Sequence, residues 1–138
     1  MTAWRRQARE LFPERTGQLH RASTLPDLLY SLVSDVRHAY AAQPPDIERR
    51  DRVYRYVRWC VAGNQNAARR TVVLERFLLH LATIPEARGD IPALIGKATF
   101  QRSRAEFEAR LEPADYQATL AAFVAYGLQG APDGWADA

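Results

Sequence analysis

Apolar residues recur at helical spacing along most of this chain. Leu29, Leu32 and Val36 form a stripe in one segment, and Leu120 and Phe123 belong to a stripe in another. Residues three or four positions apart lie on the same face of an α-helix. Alternation of apolar and polar residues, which is typical of half-buried strands, nowhere continues for more than about four residues. The chain is therefore predicted to be all-α.

Prolines and polar capping residues divide this pattern into predicted helices. The predicted N-caps are Thr24 or Ser23, Asp46, Asn64 or Asn66, and Asp90. The predicted helices cover residues 3–11, 13–22, 26–42, 46–62, 65–84, 90–96, 97–111 and 113–128. We predict a single all-helical domain over residues 1–130 and a frayed tail at 131–138. Its architecture is either a helical bundle or a short helical-repeat-like stack of about six to eight helices.

The segment 65–84 is the predicted centre of the fold. It is apolar nearly all round and leaves only Arg69, Arg76, His80 and Thr83 as a narrow polar strip. A helix of this kind is buried on more than one side. Other helices are therefore expected to pack around it.

Charge is distributed unevenly along the chain. The net charge is +3, but residues 1–104 hold 18 basic and 10 acidic residues, which gives +8. Residues 105–138 hold one basic and six acidic residues, which gives −5. All of the basic residues except Lys97 are arginines, and in an alanine-rich chain this bias is most simply explained by a GC-rich genome. Arginine content alone is therefore not taken as evidence of phosphate binding.

The predicted helix at 46–62 has two unlike faces. One carries apolar residues that include Val53, Val57 and Cys60. The opposite face carries Arg49, Arg52, Arg55, Tyr56 and Trp59. Arginine and aromatic side chains together form binding hot spots on proteins and also grip nucleic-acid backbones and bases. The alternative is that another helix covers the two aromatic rings and that the arginines extend around them to solvent.

Glu75 is the one acidic residue in the predicted central helix. It lies between positions that face the core, so it is expected either to be buried or to line a cleft. A buried carboxylate must be paired, and arginines of the preceding helix or Tyr54 are the expected partners. We interpret Glu75 as a structural buried charge, with a general base or a metal ligand as the functional alternative.

No catalytic or metal-binding motif is present in the sequence. His20, His38 and His80 are isolated, and His80 is expected on a different helix face from Glu75. The one cysteine, Cys60, lies on an apolar face and is expected to be a small core residue. Neither a disulfide within the chain nor a zinc–thiolate site can be built from it. We therefore predict no catalytic residue, no metal site and no cofactor.

Two short segments carry a resemblance to known proteins. Leu11-Phe-Pro-Glu14 precedes helices of middling length, and Asn64-Gln-Asn-Ala67 leads into the run from Val72 to Leu81 that contains Glu75. Over roughly residues 10–111 the chain resembles a family of small uncharacterised bacterial all-helical proteins, some of them associated with toxin-immunity or defence loci. The resemblance implies a binding role and a structural role for Glu75. It does not account for the surplus arginines or the acidic C-terminal helix.

The sequence thus predicts a cytoplasmic, non-enzymatic helical protein that binds another protein, in its most concrete version an immunity-type partner of a bacterial toxin. The Arg/Tyr/Trp face of residues 49–59 is the predicted contact surface. A nucleic-acid-associated module that uses the same face is the first alternative, and a small enzyme with a pocket beside Glu75 and His80 is the second. No membrane partner is expected, because the longest uncharged stretch, residues 116–132, contains glycines and polar residues. Self-association is left open.

Overall fold

The computed structural model describes residues 2–15, 24–62 and 67–126, and over these ranges the structure is helical, with no strand. A 3₁₀ turn at Pro13–Arg15 follows the first helix. We number the nine helices of the described residues α1 Ala3–Leu11, α2 Leu25–Ala41, α3 Ile47–Val61, α4 Ala67–Leu81, α5 Pro85–Arg88, α6 Ile91–Leu94, α7 Lys97–Arg102, α8 Arg104–Arg110 and α9 Pro113–Tyr126. The predicted all-α class is confirmed.

The observed helices match most of the predicted ones, with three differences. The predicted helix at 13–22 is only a 3₁₀ turn over its first residues, and its remainder lies outside the described residues. The predicted helix at 97–111 is divided at Ser103 into α7 and α8. A short helix, α5, begins at Pro85, where none was predicted. Proline favours the first position of a helix because its missing N–H is not needed there.

Two of the predicted N-caps form the expected hydrogen bonds. The Thr24 hydroxyl accepts from the Asp27 N–H at 3.3 Å, and the Asp46 carboxylate accepts from the Arg49 N–H at 3.1 Å. Asp90 precedes α6, but its side chain makes no capping bond. Its carboxylate instead accepts a hydrogen bond from the Tyr54 hydroxyl at 2.6 Å, and another from the Tyr40 hydroxyl. The other proposed caps, Ser23, Asn64 and Asn66, lie outside the described residues.

Helices α2, α3 and α4 each pack against the other two. They contribute most of a single cluster of buried apolar side chains that extends from Ala8 in α1 to Phe123 in α9. Leu29 of α2, Val53 of α3, and Phe77 and Leu78 of α4 are fully buried within it. The architecture is therefore a bundle rather than an extended stack, and α4 takes the central position that its apolar sequence predicts.

The middle of α4 departs from α-helical geometry. Residues Leu74–Leu78 form a π-helical turn, in which the Leu79 N–H donates to the Leu74 carbonyl five residues earlier. A π-turn holds one more residue than an α-turn, and such turns occur frequently at functional sites. The extra residue changes the faces on which the side chains after Leu74 lie.

The acidic C-terminal helices are attached to this bundle through α5 to α7. The Phe100 ring of α7 stacks on the Phe123 ring of α9 at 4.2 Å between centroids and contacts Phe107 of α8 at 5.1 Å. Arg88 of α5 donates to the Ala82 carbonyl at 2.9 Å and also binds the Asp115 carboxylate of α9. An aromatic cluster and one ion pair thus hold α9 in place.

A buried carboxylate joins α2, α3 and the 3₁₀ turn. Asp35 is 3% exposed, although it lies among the apolar residues of α2. It accepts a hydrogen bond from Arg49 of α3 at 2.6 Å and forms a second ion pair with Arg15 of the 3₁₀ turn. Burying a carboxylate is tolerated only when charged donors replace the lost water, and two guanidinium groups do so here.

Within the described residues, no helix combines the length and the apolar character needed to cross a membrane.

Replacing Asp35 should destabilise the protein. Asp35→Asn removes the charge while two arginines still face the site, and we expect a loss of about 2 kcal/mol in the free energy of unfolding. The expected loss is smaller than that for a fully buried ion pair, because the Arg49 side chain is partly exposed to solvent. Urea denaturation measures it. Asp51→Asn is the control, because the Asp51 side chain is 51% exposed in its ion pair with Arg50 and the pair should contribute less than about 0.5 kcal/mol. Equal stabilities for the two variants would contradict the assignment.

Candidate functional site

The predicted contact face of α3 is largely covered by the N-terminal segment. Tyr56 is fully buried, its hydroxyl donates to the Trp4 carbonyl of α1 at 2.9 Å, and its ring meets that of Phe12 edge to face at 5.9 Å. Burial raises the pKa of the Tyr56 hydroxyl above its ordinary value. Tyr56 therefore belongs to the core, and the structure corrects its assignment to a partner-binding surface.

Two of the predicted contact arginines bind groups within the chain. Arg49 pairs with Asp35, as described above. Arg52 donates to the Glu14 carboxylate at 2.9 Å and to the Leu11 carbonyl at 3.2 Å. The pKa of the Glu14 carboxyl is lowered by a hydrogen bond to the backbone and by Arg52. Their side chains are still 37% and 28% exposed, so a partner contact for Arg49 and Arg52 stays a prediction.

Arg55 and Trp59, the other two predicted contact residues, remain accessible. Arg55 is exposed and Trp59 is half-buried. The Trp59 ring stacks on Tyr56 at 5.9 Å, and the guanidinium of Arg69 in α4 lies 4.8 Å from its centroid. A contact role for Arg55 and Trp59 stays a prediction.

Helix α1 adds residues that the sequence pattern did not single out. Trp4 is half-buried beside Tyr56, with the Arg5 guanidinium 4.8 Å from its ring centroid, and Arg6 is exposed. The resulting surface, here called the arginine–tryptophan patch, consists of Trp4, Arg5, Arg6, Arg55, Arg58, Trp59 and Arg69. The patch itself contains no acidic residue, but Glu10 of α1 and Asp51 of α3, both exposed, lie one helical turn from Arg6 and Arg55 at its edges. The sequence signal for these residues was the pair of arginines before Gln7. That pair does not show that α1 packs against α3.

Glu75 is not a buried charge. Its side chain is 45% exposed and lies 3.7 Å from the guanidinium of Arg110 in α8, itself 52% exposed. Of the predicted partners, Tyr54 binds Asp90, and Arg49, Arg50 and Arg52 of α3 bind other groups. Glu75 continues the exposed face that Thr71 and Ala68 form one and two turns earlier, and α4 packs on the core through its other faces.

Glu75 and His80 line one shallow pocket of about 280 Å³, together with Leu79, Thr83 and Arg110. The two side chains were expected on different faces because they are five residues apart in sequence. A π-turn holds more residues than an α-turn, so residues five apart differ less in direction around the helix axis than they do in a regular α-helix. The structure therefore corrects this expectation.

The chemistry of this pocket is limited by the groups that line it. Burial lowers the pKa of His80, and Arg76 and Arg37 lower it further, which favours the neutral imidazole. The Thr83 hydroxyl, the one hydroxyl in the lining, donates to the His80 carbonyl at 2.6 Å. A carboxylate, a neutral imidazole and a guanidinium can bind a small polar molecule, but the arrangement provides no activated nucleophile.

Cys60 is a buried thiol of the core, as the sequence predicted. Among the described residues, no three potential metal-binding side chains of the types His, Cys, Asp and Glu lie close enough together to hold an ion.

Removing the Tyr56 hydroxyl should weaken the attachment of α1. Tyr56→Phe leaves the Trp4 carbonyl without this donor, and we expect a loss of about 1 kcal/mol in the free energy of unfolding, measured by urea denaturation. Tyr30→Phe is the matched control, because the Tyr30 side chain is 54% exposed; its effect should stay below about 0.5 kcal/mol. An unchanged stability of Tyr56→Phe would contradict the core assignment.

The Cys60 thiol should react slowly in the native protein. Burial raises its pKa from 9.0 to about 12, so little thiolate exists at pH 8. A disulfide reagent should label the unfolded chain rapidly at pH 8 and the native chain slowly. Because the folded pKa is the higher one, the folded state holds this proton more tightly, and its contribution to stability should be lost as the pH rises from 9 to about 12. Equal labelling rates in the two states would contradict the burial of this thiol.

Comparison with protein-family models, with curated proteins and with solved structures gave no match to this chain.

Proposed function

We propose that this protein is a non-enzymatic binding protein whose arginine–tryptophan patch contacts an acidic surface of another protein. The observation that carries the proposal is the composition of the patch, which holds five arginines and two partly accessible tryptophans, with acidic residues only at its edges, Glu10 and Asp51.

Tryptophan and arginine are the residue types most enriched among binding hot spots. Trp59 is held on one face by Tyr56 and meets Arg69 at 4.8 Å, so it loses little conformational entropy on binding. Arg55 and Arg58, one helical turn apart on α3, are both exposed and can pair with carboxylates. Complementary charge of this kind speeds association and selects the partner.

Nucleic acid is the second candidate for the same patch, since arginines and aromatic rings also bind phosphates and stack on bases. The acidic helices argue for a protein partner instead. Residues 105–126 carry four carboxylates and one arginine, and this charge opposes the approach of an extended polyanion. A smaller acidic protein surface can contact the patch on α1 and α3 without approaching α8 and α9.

An immunity-type complex with a bacterial toxin is the most concrete version of this function, and it is supported only by the resemblance of the sequence to small helical proteins of such loci. A cytoplasmic location is part of the proposal and is supported by the single, buried cysteine. A small enzyme with its pocket at Glu75 is less favoured, because the one hydroxyl in that pocket is bound to a backbone carbonyl.

The test reverses charge in the patch without disturbing the core. Arg55→Glu/Arg58→Glu, with both positions exposed, should lower the recovery of partner proteins in pull-downs from the native host by about tenfold or more, and Trp59→Ala should act in the same direction. Arg37→Glu, on the exposed face of α2, is the matched control and should leave recovery unchanged.

Recovery of the same partners by the double variant, with unchanged stability, would show that the patch is not the interface. Retention on a DNA oligonucleotide column is measured in parallel at increasing salt. Salt-dependent retention that the double variant abolishes would favour the nucleic-acid alternative.

A further inference from the structure

A second accessible surface lies between α7 and α9. It is a groove of about 310 Å³, with Phe100 and Phe123 at its base, Leu120 and Val124 on the α9 side, and Lys97 and Arg104 on the opposite side. Val124 is 81% exposed, the highest value among the large apolar side chains of the described residues. The groove shares no residue with the arginine–tryptophan patch.

The apolar wall of this groove is continuous with the core. Phe100 and Phe123 stack at 4.2 Å and are almost fully buried, Leu120 is partly buried, and Val124 projects beyond them. Single exposed apolar residues are common on protein surfaces, but an apolar wall beside a concave base is typical of a binding site. The volume is at the lower end of ligand pockets, which suits one or two side chains of a peptide better than a cofactor.

The other wall is cationic. Arg104 is positioned by its Nε–H, which donates to the Tyr116 hydroxyl at 2.7 Å. Lys97 lies at the start of α7 and is exposed. None of the residues that line the groove is acidic, although Glu106 and Glu108 follow in α8. The groove therefore has a cationic edge, although Glu108, four residues after Arg104 in α8, lies close enough to interact with Arg104.

We propose that this groove binds a short acidic amphipathic segment of another protein. The apolar side chains of that segment would pack on Val124 and on the phenylalanines at the base of the groove, and its carboxylates would pair with Lys97 and Arg104. This mode places the apolar face of a helix in a groove and sets specificity by the flanking charges. The inference goes beyond the proposed function, because it concerns a different surface and a different chemical feature of a partner.

The test uses a defined probe, a fluorescein-labelled peptide of roughly 14 residues with leucine and tryptophan at helical spacing on one face and glutamate on the other. Fluorescence anisotropy with the full chain should show binding that weakens as salt rises from about 50 to about 500 mM. A peptide in which lysine replaces every glutamate should bind at least about tenfold more weakly.

Variants of the protein locate the site. Val124→Glu should weaken binding about tenfold or more, because it places a carboxylate on the apolar wall, and Lys97→Glu should weaken it by a smaller factor. Ile47→Glu is the matched control, since Ile47 is a large exposed aliphatic residue outside the groove. Arg55→Glu/Arg58→Glu should leave peptide binding unchanged, which separates this inference from the proposed function.

Three results would overturn the inference. The first is a failure of specificity, in which the lysine peptide binds equally well or Val124→Glu does not weaken binding. The second is stronger binding by Trp135→Ala, a variant outside the described residues, which would indicate that the chain's own C-terminal residues compete for the groove. The third is a dimer in sedimentation that Val124→Glu dissociates, which would indicate a second copy as the occupant.

Discussion

The paired burial of Asp35 is the interaction on which the arrangement of the N-terminal half depends. A carboxylate among the apolar residues of α2 is stable there only while Arg49 and Arg15 neutralise it, and these come from α3 and from the turn after α1. The pair therefore sets the position of three segments at once. With the turn held against α2 and α3, α1 lies across the face of α3 that contains Tyr56. The part of this α3 face that α1 does not cover remains exposed to solvent.

This packing places the exposed arginines and tryptophans on one set of helices and the acidic residues on another. Arg49 and Arg52 pair with Asp35 and Glu14 near α1 and the 3₁₀ turn, whereas Arg55 and Arg58 remain exposed on the same helix as Trp59. The acidic helices pack at α5, α6 and α7, where an aromatic cluster and the Arg88–Asp115 pair hold them. A cationic aromatic surface and an apolar groove with a cationic edge thus belong to different helices, so each can be altered without the other.

The environment of Glu75 in α4 depends on which face of the helix meets solvent. Glu75 follows the exposed residues Ala68 and Thr71 at helical spacing, whereas a core position would require a partner at short range. In the π-turn it is half-exposed, its contact with Arg110 is a loose surface pair, and it shares a pocket with His80. Such a pair contributes little to stability. The position therefore tolerates the carboxylate without a buried ion pair.

Helical periodicity in the sequence determined the all-α class, the positions of α1 to α4 and α9, and the burial of Cys60, because these follow from local spacing of apolar residues and from caps such as Thr24 and Asp46. The sequence also placed arginines and aromatics on one face of α3. Which of them meet solvent was decided only by tertiary structure, because the cover comes from α1, about 50 residues earlier. The π-turn likewise has no periodic signature that would reveal it. Local patterns determine which face a residue occupies, whereas only long-range packing determines what lies against that face.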